Sequence, residues 1–123
     1  MAKNKNVLVI DDSETTLVML DWFLHENGFT AHFASTVAEA LQHINAQIPD
    51  LILLDLNMPE VSGYDFLKMI KSEENKKNIP VLVISALDSS ESKLKVKNMG
   101  AIDFIAKPLV LKELLLKINE IIK

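Results

Sequence analysis

The chain has 123 residues, 49% of them hydrophobic and 24% charged, a balance that suits one soluble domain with one core. No apolar run approaches the ~20 residues of a membrane helix, the opening MAKNKNVLVI has neither h-region nor cleavage site, and the lack of cysteine excludes disulfides and thiolate metal sites and fits a reducing compartment. A net charge of −4 weighs against a general nucleic-acid binder, and because all thirteen basic residues are lysine, no guanidinium fork exists to grip phosphate.

Lys5 to Ile10 reads as a strand with core Val7-Leu8-Val9-Ile10, ending on Asp11-Asp12. A helical pattern starts at Ser13, with Leu17, Leu20, Phe23 and Leu24 inward, and Asn27-Gly28 stops it. Thr30 to Ala34 is a short second strand with no acid or lysine at its end. Thr36-x-x-Glu39 fits a capping box for a helix with an Ala40, Leu41, Ile44 stripe. Pro49 closes that connection. Leu51-Ile52-Leu53-Leu54 has no alternation, so it predicts a strand buried on both faces and delivering Asp55 to its tip.

Met58 to Gly63 is a loop by its Pro and Gly, and Tyr64 to Lys71 a third helix with Phe66, Leu67 and Ile70 inward. Ser72 to Asn78 reads as a solvated linker. Pro80 opens a fourth strand, Val81-Leu82-Val83-Ile84, which ends on Ser85. Asp88 to Asn98 reads as a polar helix capped by Asp88 or Ser89 and stopped by Gly100. Ala101 to Ala106 is the fifth strand, followed by Lys107-Pro108, and Leu109 to Ile122 the fifth helix, with Leu111, Leu114, Leu115, Ile118 and Ile122 inward.

Strands joined by helical crossovers run parallel, and right-handed crossovers cover both faces of the sheet. The expected fold is therefore a doubly wound α/β domain spanning residues 1–123, with its site outside the carboxyl ends of the strands. Asp55 alone would read as a turn residue. Lined up along that edge, however, are Asp11, Asp12, Asp55, Ser85 and Lys107, each from a strand end.

Three crowded carboxylates repel unless a cation intervenes. They are hard oxygen ligands, so Mg²⁺ is the natural cofactor, with Mn²⁺ as a substitute. Beside such an ion a carboxylate can attack phosphorus, and aspartyl phosphate is an established covalent intermediate. Lys107 would neutralise a phosphoryl oxygen and Ser85 would donate a hydrogen bond to another. A dinucleotide site needs a glycine-rich first turn, and Asp-Asp-Ser-Glu would repel phosphates.

The segments VLVIDD at 7–12, LILLDLNMPEVSG at 51–63, VLVISA at 81–86 and GAIDFIAKP at 100–108 closely resemble receiver domains of two-component response regulators, the CheY-like family. The resemblance covers essentially the whole chain and implies a flavodoxin-like five-stranded parallel sheet of order 2-1-3-4-5 with five helices. It implies that Asp55 accepts a phosphoryl group from a histidine kinase, that Asp12 ligates Mg²⁺ directly and Asp11 through water, and that the backbone carbonyl of Asn57 completes the protein ligands. It implies a phosphoryl-binding role for Lys107 with a cis bond to Pro108. Ser85 and Phe104 match the family's switch pair, in which the hydroxyl turns toward the phosphoryl and the ring moves inward. Phe104 departs from tyrosine and carries no hydroxyl, and read alone it is a core residue of the fifth strand. Asn57 and Leu87 stand where the family tunes phosphoryl lifetime.

The implied function is a cytoplasmic signalling protein that acts by binding an effector on the face of helix four, strand five and helix five. It would have no output domain of its own, no direct nucleic-acid contact and no membrane insertion, and would catalyse only its own phosphorylation and dephosphorylation. A phosphoryl shuttle to a histidine phosphotransfer protein is a variant. A dehalogenase-like phosphatase would need an Asp-x-Asp pair on strand one, where this chain has adjacent Asp11-Asp12, and a degenerate scaffold would not keep the full set of acid, hydroxyl and lysine. His25, His32 and His43 show no metal spacing and read as surface residues, as do Lys93, Lys95 and Lys97. Trp22, the lone tryptophan, sits on helix one, away from the phosphoacceptor.

Overall fold

The computed structural model describes residues 5–56, 63–86 and 90–122. Strands and helices alternate: β1 (Asn6–Ile10), α1 (Glu14–Glu26), β2 (Thr30–Ala34), α2 (Val37–Ala46), β3 (Leu51–Asp55), α3 (Gly63–Ser72), β4 (Val81–Ser85), α4 (Ser90–Asn98), β5 (Asp103–Ala106) and α5 (Leu111–Ile121). The five strands pair in parallel in the order β2-β1-β3-β4-β5, as the resemblance implied.

Alternate residues of the sheet feed two cores. On one face Leu8, Ile10, Ile52, Leu54, Val81 and Val83 meet Ala40 and Ile44 of α2, Phe66, Leu67 and Ile70 of α3, and Val96 of α4. On the other, Val7, Val9, Leu51, Leu53, Leu82 and Ile84 meet Leu20, Phe23 and Leu24 of α1 and Leu114 and Ile118 of α5. All five positions of β3 and of β4 are buried, which explains their unbroken apolar runs.

The helix ends follow the local chemistry. Ser13 Oγ accepts the Thr16 amide at 3.3 Å to cap α1. Gly28, at φ +86°, ends that helix in the left-handed region. Thr36 Oγ1 accepts the Glu39 amide at 3.1 Å, and the Glu39 carboxylate reaches back to the amide and hydroxyl of Ser35. The bonds from Ser35 hold that exposed carboxylate below the usual carboxylate range, the hydroxyl foremost and then the amide. α4 is the least anchored helix, with Val96 as its one buried residue out of nine.

Two expectations are corrected. Ala101 and Ile102 precede β5: the Ala101 amide bonds back to Val96 O at 3.0 Å, so these residues complete the turn that closes α4. The 72–78 connection is not uniformly solvated. Lys76 is buried and paired with Glu73 at 3.1 Å, and Lys71 Nζ donates to the carbonyls of Lys77 and Ile79. Burial of the Lys71 ammonium lowers its pKa from the usual lysine value. The proposed caps Asp88 and Ser89 lie outside the described residues.

Candidate functional site

Parallel strands carry their C-terminal residues to one edge of the sheet, and the adjacent strands β1, β3, β4 and β5 bring four of these ends together. Asp11 and Asp12 follow β1, Asp55 and Ser85 end β3 and β4, and Lys107 follows β5. Asp11, Asp55 and Ser85 are buried, while Asp12 is exposed. Asp11, Asp12 and Asp55 each offer a carboxylate oxygen within 4.8 Å of the others.

Backbone positions two of the acids. Asp11 Oδ1 accepts the amide of Ser13, the α1 cap, at 2.9 Å. Asp55 sits on a strand paired on both sides. Behind it, the Gly63 amide donates to Leu56 O at 3.1 Å, and a Cβ at Gly63 would lie 2.6 Å from Leu56 Cα and 2.8 Å from Asp55 O. Only glycine fits that approach of α3 to β3.

Lys107 closes the crevice from the other side. Its Nζ lies 3.3 Å from Asp11 Oδ2 and 3.5 Å from Asp55 Oδ2. The Lys107 amide donates to Ser85 O at 2.9 Å, which ties the lysine to the end of β4, and the Lys107–Pro108 bond is cis. Three carboxylates against one ammonium leave an excess of negative charge. The donor atoms are all hard oxygens, with no sulfur or imidazole among the three residues, so the set fits Mg²⁺.

Phe104 is buried in the same core cluster as Val96, so its ring points inward. The Lys93 ammonium lies 5.9 Å from that ring and the Lys95 ammonium 4.2 Å from the ring of Tyr64 on α3. Asn57 and Leu87 lie outside the described residues.

Sequence reading missed an ionic tie across the neighbouring face. Asp103 on β5 takes Lys117 of α5 at 2.6 Å and Lys97 of α4 at 3.9 Å. Burial works to raise the Asp103 pKa, but the bonds from Lys117 and the Phe104 amide prevail and hold it below the usual carboxylate value. The same Asp103 bond raises Lys117 above the usual lysine value. No local signal marks partners this far apart in the chain. In sequence Gly63 marks only a loop, because its contact with β3 exists only in the fold.

The family model described as "Response regulator receiver domain" matches residues 7–119. The chain is 34% identical over 119 residues to the phosphate regulon transcriptional regulatory protein PhoB of Escherichia coli, covering 97% of this chain and 52% of PhoB. It is 31% identical to the alkaline phosphatase synthesis transcriptional regulatory protein PhoP of Bacillus subtilis, covering 98% of this chain and 49% of that protein. The chain thus spans about half the length of these curated relatives. Among solved structures, Vibrio cholerae chemotaxis protein CheY4 superposes with a TM-score of 0.91 at 28% identity, covering 98% of this chain and 100% of that one. The receiver domain of the Francisella response regulator 1452 gives 0.88 at 34% identity, covering 96% of each. Phosphorylation on an aspartate is the general function of receiver domains, and they generally bind Mg²⁺ at an acidic cluster. By family match, by relatives and by fold, this chain belongs to the response regulator receiver domains of two-component systems.

Proposed function

We propose that Asp55 is the phosphoacceptor and that residues 7–119 act as one receiver unit. The observation that carries this reading is the crevice in which Lys107 Nζ sits within 3.5 Å of both Asp11 and Asp55. A carboxylate oxygen of Asp55 attacks the phosphorus of a phosphohistidine on a histidine kinase. The new O–P bond forms as the P–N bond breaks, and the imidazole departs with the electron pair and takes up a proton. Attack by water on the phosphorus later breaks the O–P bond, restores the carboxylate and releases inorganic phosphate. This is self-modification, with the receiver supplying most of the positioning.

Asp11, Asp12 and Asp55 would hold Mg²⁺, with the Asn57 carbonyl as the fourth ligand that the resemblance implies. When bound, the ion supplies positive charge against the incoming phosphoryl oxygens. Lys107 leaves its bond to Asp55 and neutralises one phosphoryl oxygen, and the Ser85 hydroxyl donates to another. That contact draws on Ser85 at the end of β4 and, through the β4–β5 pairing, holds the Phe104 ring in the buried position it already occupies and shifts α4. The effector then docks on the α4–β5–α5 face in the cytoplasm. The Asp103 tie to both helices supports that face as a single unit.

The test is incubation with acetyl phosphate and Mg²⁺, followed by intact mass. One phosphoryl adduct is expected, lost in Asp55→Asn and lost on chelation of the metal. An unmodified mass from folded protein would overturn the assignment.

A further inference from the structure

The fold brings two imidazoles together far from the acidic crevice. His32 stands mid-strand on β2, in register with Leu8 of β1, and His43 lies in the last turn of α2. Their ring centroids are 5.6 Å apart, with the ring planes inclined at 35°. Both histidines line a cavity of about 120 Å³, together with Asn6, Leu8, Ala46, Gln47 and Pro49.

Two facts leave the ring nitrogens available. No hydrogen bond or ion pair to either ring exists among the described residues. His43 is exposed, and at half-buried His32 no side-chain nitrogen is both buried and without a partner, so neither ring is sealed in the core. The separation also has a chemical meaning. With metal–nitrogen bonds of about 2.0–2.1 Å, plus roughly an ångström from nitrogen to ring centre, two imidazoles on one tetrahedral ion place their centroids roughly 5–5.5 Å apart. The observed pair is within a few tenths of an ångström of that spacing, and amide oxygens or waters in the cavity can fill the remaining positions.

We propose that His32 and His43 form a second cation site, selective for a borderline divalent ion of the zinc type, which staples α2 to β2. The ligand sets sort the ions. Carboxylates of the acidic crevice favour Mg²⁺, whereas neutral imidazole favours Zn²⁺, Ni²⁺ or Cu²⁺. Because the sites lie on different elements, the staple does not depend on the role of Asp55. Binding to the folded chain alone stabilises it by mass action.

The test is titration of the whole chain with Zn²⁺ in saturating Mg²⁺, followed by calorimetry and by NMR of the histidine rings. One equivalent is expected to bind, shifting the His32 and His43 ring resonances and not those of His25. His43→Gln and His32→Gln should each weaken binding by at least about tenfold, since one of two imidazole ligands is lost. His43 is exposed, so its variant keeps the fold, which circular dichroism verifies. His25→Gln should bind as the parent does. Unchanged affinity in His43→Gln, or no Zn²⁺ binding by the parent chain under these conditions, would overturn the proposal.

Discussion

The ammonium of Lys107 lies 3.5 Å from Oδ2 of Asp55, across a separation of 52 residues in the chain. In the resting protein the lysine thus serves as a built-in counter-charge, and it competes with any metal for the same oxygens. Lys107→Ala is expected to bind Mg²⁺ more tightly yet to take up phosphoryl more slowly. Loss of one charge-assisted bond, about 1.5–3 kcal/mol, corresponds to roughly 10- to 150-fold in rate. Mg²⁺ titration and timed intact-mass measurement with acetyl phosphate separate the two effects. Weaker metal binding in this variant would contradict the competition.

Asp55→Asn removes one of three clustered negative charges while keeping the side chain's shape. Metal-free, it should be more stable than the parent by about 1 kcal/mol, or roughly 3–6 °C for a chain of this size. Added Mg²⁺ should then raise Tm less than it does in the parent. Thermal unfolding with and without chelator checks both statements.

Gly63→Ala places a methyl group 2.6 Å from Leu56 Cα and 2.8 Å from the Asp55 carbonyl oxygen. Both neighbours are backbone and cannot swing aside, so α3 or the tip of β3 must move. Overpacking of this kind costs about 1–3 kcal/mol. Because the displaced strand end carries the acid, phosphorylation should slow further than the stability loss explains. Equal phosphorylation rates in folded variant and parent would show that Asp55 tolerates the shift.

The Asp103–Lys117 pair predicts stability losses at both ends of the pH scale. The Asp103 carboxyl titrates below its ordinary 3.8. Its stabilising contribution is therefore complete above that value and is lost as pH falls through the depressed pKa. Lys117 titrates above its ordinary 10.5. Its contribution is complete below 10.5 and is lost as pH rises through the raised pKa. Both side chains are about a third exposed, so Asp103→Asn should cost only about 0.5–1 kcal/mol at neutral pH. Unfolding of parent and variant should converge in strong acid, measured by denaturant titration across pH.

Much of this architecture was legible in the residues. Apolar runs without alternation mark β3 and β4, because a strand buried on both faces has no polar side. The strand-end acids, Ser85 and Lys107 converge because parallel pairing aligns strand ends. Contacts set by three-dimensional approach were not legible. Gly63 against β3, Lys95 over Tyr64, Asp103 between two helices and His32 beside His43 join elements whose spacing no sequence period encodes. The burial of Lys76 is likewise invisible in a lysine-rich turn sequence.

The sparse anchoring of α4 sets how local opening is distributed. Its nine residues bury one side chain, whereas the ten of α3 bury three, those of Phe66, Leu67 and Ile70. Amide hydrogen exchange in α4 should proceed through an opening that costs far less than global unfolding, while β3 and β4 exchange only when the whole chain unfolds. A phosphoryl group at Asp55 would then need to supply only a few kcal/mol to reposition a soft helix on a stiff sheet.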